Sequence, residues 1–558
     1  MEKRLTKNRL CTRRAALWTE RSSWDSHWQE IVDNLLPRSG RFFYTDRNKG
    51  DKRNRLYNDI ATKALNIQVA GMFAGSSSPA RPWFRLTIPD QSLAKQHAVR
   101  VWLDDYAELV RTILNRSNAY RILPMLYEEC GAFGTGAALQ MTDYESVSYW
   151  YPMTVGEYAI GQDYKGRVNT FYRQFQATVG QMVREFGKKN CSQIVQNMWD
   201  RGSLDDWVTI THAIESRDDR DVTSRLNKNF RYASYYFDES DSQNIFLRES
   251  GFRDFRVLAP RWQARGGDIY GHSPGMQALG EISGLQLKEL RKHQAIDYQS
   301  RPPLQGPDNT RLNLMPGAYN NVSNTQSGSV KTLFDAPLNI SHLKEDIAET
   351  KQSIWQTFFA DIFLMVANSS DKGKTATEIA ELREEKMLML GPVLERMHHE
   401  LHAPMVTMVA KDAMEAGIVP PPPKELDGID LQIEFVSVLA QAQRMIPIGN
   451  LDRFITTVGT IAAVKPEALD RVNADDLVDA YSDMLGIDPD VIVSVDKAFA
   501  IRQSRAEVEA QQQEMAAQQQ QAETAATLAK AQTGDNRNAL QDVLNQYSGY
   551  GSPSPLEL

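Results

Sequence analysis

Residues 270–303 read YGHSPGMQALGEISGLQLKELRKHQAIDYQSRPP, and this stretch decides the architecture. Between the Gly- and Pro-marked opening and the stop at Pro302-Pro303 lie about 25 residues of helical pattern, roughly 37 Å at ~1.5 Å per residue. Met276, Leu279, Ile282 and Leu290 fall on one side. Residues 301–337 are rich in Pro, Gly, Asn and Ser, the composition of a loop or small hairpin segment. A second helix is predicted from Ser341, a suitable N-cap with Glu345 and Asp346 in the first turn. Its stripe is Ile347, Ile354, Trp355, Phe358, Phe359 and Ile362. Two long helices around a loop-rich insertion make an αα unit whose inner ends can line a hole.

Downstream, the polar ANSSDKGK interrupts, and Thr375-Ala-Thr-Glu378 forms a capping box that opens a helix to about Gly417. Ile379, Leu382, Leu390, Leu394, Met397, Leu401, Met405 and Met408 keep its period, and Gly391-Pro392 predicts a kink. PPPP at 420–423 closes the segment, and LQIEFVSV at 431–438 alternates as a strand. Small helices fill 450–502. Between 503 and 532, 9 of 30 residues are Gln and 9 are Ala, without Gly or Pro, so this is a helix of about 45 Å. It has too little apolar surface to bury itself alone and needs company.

Upstream, 13–36 reads as an amphipathic helix through Trp24, Trp28, Ile31 and Leu35, with further helices at 55–74, 95–116 and 120–130. From 136 to 262 aromatic and β-branched runs alternate with turn residues. The first of them is a hairpin turning at Asp163–Gly166, and a short helix lies near 178–187. The fold class is α+β, mainly helical.

The chain has 558 residues, 42% hydrophobic, enough for several packed units. A net charge of -8 excludes a polycation built to clamp nucleic acid along its whole surface. Cys11, Cys130 and Cys191 are few, odd in number and widely spaced, which suits a reducing compartment without a disulfide framework. The basic MEKRLTKNRLCTRR precedes AALWTERSSW and not an apolar run, so no signal peptide is expected, and no window is apolar enough to span a membrane.

Three motifs come close to chemistry. Gly373-Lys374-Thr375 has the end of a P-loop, but Asn368 stands where the first glycine belongs, and the preceding IFLMV continues a helical stripe. VIVSVD at 491–496 is the matching candidate for a magnesium strand. His398-His399-Glu400-Leu401-His402 has two His at zinc-ligand spacing, but His399 occupies the place of the catalytic Glu, and hydrogen-bonded or solvated imidazoles are the expected outcome. Gly131, Gly134 and Gly136 lack dinucleotide spacing, which leaves close backbone packing as their role. The chain is therefore not expected to be an enzyme, and no metal or cofactor is expected.

The order of segments resembles the portal (head-to-tail connector) proteins of short-tailed bacteriophages over most of the chain. The carriers are WDSHWQEIVDNLLPRSGRF at 24–42, RPWFRL at 81–86, YEECGAFGTGAAL at 127–139, RWQARGGDIYGHSPGMQALGEISGLQ at 261–286, RPPL at 301–304, TATEIAELREEKMLMLGPVLERMHHELHAPMV at 375–406 and FVSVLAQAQR at 435–444. The resemblance implies a wing (1–275 and 376–447), paired stem helices (276–300 and 338–362), a clip (301–337), a tunnel loop (363–375), a crown (448–502), a barrel-like helix (503–533) and a flexible tail (534–558). It implies a closed ring, usually dodecameric, in the virion at the head–tail vertex, with double-stranded DNA passing through its channel. The terminase large subunit and later tail adaptor or nozzle proteins would dock on the clip, and major capsid and scaffolding proteins would surround the ring. Asn368, Ser369, Ser370, Lys372 and Lys374 become DNA-channel candidates, and Arg311, Asn313, Tyr319 and Lys331 docking candidates. Two other readings stand beside it: a P-loop-like ATPase around Lys374, and a coiled-coil scaffold without a DNA channel, for which 503–532 shows no heptad seam.

Overall fold

The computed structural model describes residues 6–42, 56–306 apart from 95, 219 and 240–245, 315–321, 331–332, 340–367, 389–426, 431–436, 454–462 and 495–530, with a few single positions besides. The chain forms two compact units, Met1–Asn450 and Leu451–Leu558, and its described residues mix helices with four sheets of two to five strands. In the second unit the helix Val495–Lys530 starts ahead of the Gln/Ala tract. From Phe499 on, each of its described side chains is exposed. Most of 448–502 lies outside the described residues, as does the tail.

In the first unit the N-terminal helix runs Lys7–Asn34, beginning earlier than its apolar pattern. Trp28 is fully buried and its Nε1 donates to the Phe133 carbonyl at 3.0 Å. Arg21 is buried too, donating to the carbonyls of Gly156 (3.0 Å) and Tyr158 (2.6 Å). The helices Ile60–Ser76, His97–Arg116 and Ala119–Phe133 fall where the periodicity places them. Ala119–Phe133 ends at Gly134 with φ +84°, a left-handed cap that favours glycine. A Cβ on Gly134 would lie 2.0 Å from the Gly271 carbonyl oxygen, and one on Gly271 2.2 Å from that of Gly134. The glycines of GAFGTGA thus serve close packing: two backbones touch where side chains would hold them apart.

The sheet-rich section is a five-stranded antiparallel meander, Tyr158–Gln162, Val168–Thr178, Trp207–Ser216, Tyr232–Asp238 and Arg248–Phe252, in chain order. Its first hairpin turns at the expected place, where Asp163 Oδ1 accepts from the N–H groups of Lys165 and Arg167, both at 2.9 Å, and Gly166 has φ +76°. The helix Val179–Phe186 is opened by a capping box between Thr178 and Gln181. A second sheet pairs Ala137–Asp143 with both Val147–Met153 and Val257–Leu258. Against it packs the helix Ala403–Glu415, tied by a buried polar network. Arg256 Nη1 donates to Asp412 Oδ1 at 2.6 Å and to Gln140 Oε1 at 2.5 Å, while Gln140 Nε2 donates to Asp412 Oδ2 at 2.5 Å and Ser148 Oγ at 3.1 Å.

Only part of the alternating 431–438 segment is described as strand: Gln432–Phe435 pairs antiparallel with Phe84–Thr87 of RPWFRL, with Phe84 opposite Phe435. Sequence alone does not show this pairing, because the partners lie far apart and each strand is four residues long.

Glu129 is buried on the helix Ala119–Phe133. Burial pushes its carboxyl up to about 8, against hydrogen bonds from Thr154 Oγ1 (2.7 Å) and the Val155 N–H (3.2 Å), with Glu128 and Glu157 adding repulsion. The folded chain therefore keeps a proton that the unfolded chain releases near 4.5, so this group's stabilisation is full at low pH and lost as pH rises toward about 8. We expect the Glu129→Gln variant, which keeps a neutral group of the same shape, to gain in melting temperature relative to the parent as pH rises through that window. Parallel melting curves across the window would show that Glu129 is ionised in the fold.

Candidate functional site

The 270–303 stretch folds as the helix Pro274–Ser300. Ser273 caps it, its Oγ accepting from the Met276 N–H at 2.9 Å and donating to the Ala132 carbonyl at 2.7 Å. It stops at Arg301, ahead of the two prolines, because a residue before proline is driven out of the helical region. Its buried face is Ala278, Leu279, Ile282, Leu285 and Glu289. Leu290, expected on that face, is only half-buried. At 3.6 residues per turn the row from Ile282 and Leu285 continues to position 289, where the chain carries an acid.

Its partner helix is Ile340–Thr357, already helical one residue ahead of Ser341, which is therefore not the cap. Glu281 pairs with Ser353 and Lys288 with Asp346 and Thr350, so the two helices run antiparallel. Glu289 sits between them, 2% exposed, accepting from Lys351 Nζ at 2.8 Å, from Asn58 Nδ2 at 2.7 Å and from Lys292. Burial opposes its ionisation, but these three donors outweigh it and hold the carboxyl down to about 2. Gln286 adds a clamp, its Oε1 accepting from the N–H of Tyr57 (2.7 Å) and its Nε2 donating to the Asn58 carbonyl (2.8 Å). Lysines that look like surface charges in the sequence thus neutralise one buried acid at the helix seam.

The expected single second helix is two. After Thr357 the backbone breaks at Phe359, φ +56°, and a further helix runs Ala360–Ala367. A left-handed, non-glycine residue costs about 1–2 kcal/mol. Here Phe358 beside it is fully buried, and Phe363, fixed in the core next to Gly71, holds the next turn. IFLMV is therefore helical, not the strand a P-loop requires, and the loop assigned from 363 starts no earlier than 368. Asn368, Ser369, Ser370, Lys372, Lys374 and the Thr375 capping box lie outside the described residues, as does the start of VIVSVD.

At the other end of the pair, Leu304–Gly306 is the middle strand of a three-stranded sheet, parallel to Tyr319–Asn321 and antiparallel to Lys331–Thr332. Tyr319 lies opposite Leu304 and is 54% exposed, and Lys331 lies opposite Gln305. Asn313 is exposed, its Oδ1 accepting from the Met315 N–H at 3.0 Å; Arg311 lies outside the described residues. The structure thus brings Tyr319 and Lys331 to one small sheet.

Gly391 and Pro392 lie in a helical run described from Met389, and the departure from α geometry among described residues falls later, as a π turn at His398–His402. That turn is HHELH itself. His402 is fully buried, its Nε2 2.7 Å from the Tyr127 hydroxyl, which also meets Ser76 Oγ (3.1 Å) and Ser77 Oγ (2.8 Å). Burial and the neighbouring His398 hold its imidazole well below the usual range, so it is neutral. The His398 ring stacks on Phe435, centroids 4.1 Å apart. Glu400 Oε1 accepts from Arg261 Nη2 at 2.7 Å, its Oε2 from Arg261 Nε at 3.2 Å, and Arg396 adds a third guanidinium contact. Although the buried His402 Nδ1 has no hydrogen-bond partner among the described residues, these contacts make HHELH a latch between the helix, the Phe84/Phe435 strand pair and the segment leading to Pro274. Among the described residues no group of three or more His, Cys, Asp and Glu is placed to hold a metal, and no helix is long and apolar enough to cross a membrane.

Comparison with known proteins agrees along nearly the whole chain. The chain is 49% identical to the "Probable portal protein" of Bordetella phage BPP-1 over 97% of its own length and 98% of that protein. It is 39% identical to the "Portal protein" of Salmonella phage epsilon15 with the same coverage, 97% and 98%. A chain from the virion of the native gene transfer agent particle aligns over 76% of this chain and 99% of that one at 12% identity, with a TM-score of 0.31. The family model for the bacteriophage head to tail connecting protein matches residues 7–493, which takes in every element described in the first unit, and the chain belongs to that family.

Proposed function

We propose that this chain is the subunit of a portal ring at the head–tail vertex of a bacteriophage, the passage for double-stranded DNA on packaging and ejection. The observation that carries it is similarity to two phage portal proteins over 97% of this chain and 98% of each of them. The antiparallel pair Pro274–Ser300 and Ile340–Thr357 serves as the stem, and the small sheet with Tyr319 and Lys331 serves as the clip on which terminase and then tail adaptor proteins dock. Ring symmetry also supplies the company that the Val495–Lys530 helix needs. The role is structural and requires no catalytic step. Electron micrographs of the purified full chain should give end-on views of a closed ring with a central hole, without DNA. A stable monomer at micromolar concentration would sink the reading.

Lys372 and Lys374 form a basic pair in the segment between the stem and the long helix. Repeated around a ring, they make a basic annulus that touches phosphates without reading sequence. Replacing both with alanine should leave assembly intact and shorten the DNA packaged or retained, with a smaller effect at high salt. Particles of the double variant holding full-length DNA at low salt would remove this segment from the channel.

A further inference from the structure

Two adjoining concavities open beside the last strands of the meander. The first, about 370 Å³, is lined by Arg220, Arg225, Arg231 and Arg253 together with Thr223 and Ser224. The second, about 390 Å³, has Arg248, Arg253 and Arg256 in its wall, with Glu415 as its one carboxylate. They share Phe230 and Arg253, whose guanidinium lies over the Phe230 ring at 5.2 Å. The two hollows therefore form one track.

The charges in the track are unevenly matched. Arg253 pairs with Glu415 at 3.2 Å, Arg248 with Glu185 at 2.9 Å and Arg256 with Asp412. Among the described residues no carboxylate lines the wall of the first hollow, and Arg220, Arg225 and Arg231 have none within ion-pair distance. Asp221 stands next to them in sequence, but its Oδ1 accepts from the Thr223 N–H (3.0 Å) and hydroxyl (2.6 Å). Gathering like charges in a concavity of a chain whose net charge is -8 concentrates a positive field at one place. Guanidinium forks match carboxylates and phosphates, and two features favour carboxylates. Val222 and Leu226 stand exposed on the same loop, 77% and 59%, and offer apolar contact that a sugar–phosphate backbone does not use. Glu415 in the wall of the second hollow, with Asp221 next to Arg220 in sequence, interrupts the run of positive charge, which penalises a continuous polyphosphate more than separate carboxylates.

We propose that this arginine-lined track binds an acidic peptide segment of a partner protein, with carboxylates set on either side of an apolar residue. The probe is a short fluorescein-labelled peptide of alternating Glu and Leu, followed by anisotropy on the full chain at low salt. Saturable binding is expected, weakened roughly tenfold or more in Arg225→Glu/Arg231→Glu. The neutral pair Arg225→Gln/Arg231→Gln should weaken it as well, with an unchanged melting temperature, because both side chains are exposed. No binding of the peptide, equal binding by the variants, or displacement of the peptide by a lower concentration of a single-stranded oligonucleotide each overturns the proposal, the last by making the track a nucleic-acid site.

Discussion

Asp412→Ala should lower the stability of the 1–450 unit by about 3–5 kcal/mol, the cost of leaving a buried charge uncompensated. Asp412 is 3% exposed, and its carboxylate is the sole acidic partner of Arg256, itself 7% exposed, among the described residues. Burial pushes the Asp412 carboxyl up, with Arg256 and Gln140 opposing it. Desolvation thus outweighs the attraction of a guanidinium at 2.6 Å, so the pair is costly to break without being a large net source of stability. A second result follows from the same balance. Replacing Arg256, Asp412 and Gln140 together with Met, Leu and Leu should recover most of what Asp412→Ala loses, since no charge or amide is then stranded. Urea midpoints of the full chain, measured for the single and triple variants, check both statements. A single variant within about 1 kcal/mol of the parent would mean that water reaches Arg256.

Gly134→Ala is the other large effect, on the order of 3 kcal/mol or more. Two penalties add: about 1–2 kcal/mol for a Cβ in left-handed backbone, and the displacement of a carbonyl that would lie 2.0 Å away. Gly202 separates them. Its φ is +82°, but a Cβ there meets nothing within 4 Å, so Gly202→Ala should lose only the conformational part. Melting temperatures of the two variants make the comparison. Equal losses at both positions would mean that Gly134 and Gly271 do not approach each other as described.

Much of the helical content was legible because apolar residues repeat at three and four, and the hairpin at Asp163–Gly166 because its turn residues leave little choice. Illegible features share a cause: they depend on partners distant in sequence. Leu290 and Glu289 are adjacent, and only the second helix decides which one faces inward. The buried acid carries a signal in retrospect, an acidic residue in the apolar row with Lys292 one turn on. The break at Phe359 has no local marker, since phenylalanine does not favour left-handed backbone and the core around Phe358 imposes it. HHELH could be rejected as a zinc site from its order, but its partners Tyr127, Arg261 and Phe435 come from three separate segments. Of the candidate site, Tyr319 and Lys331 come together on one sheet, whereas the lysine pair rests on resemblance alone.

The strand pair joining Phe84–Thr87 to Gln432–Phe435 has a consequence for how the protein is made. Roughly 350 residues separate its two halves, and a ribosome adding about 5–20 residues per second needs some 20–70 s to bridge them. Throughout that interval Trp83 and Phe84, both buried in the finished core, wait without the strand that covers them. The nascent chain must therefore rely on local helices and the meander to stay soluble, and this stitch is closed only after residue 435 of the 558 has been added. Subunits complete this part of the core late, so any assembly that depends on it excludes chains that stop short of the Gln432–Phe435 strand.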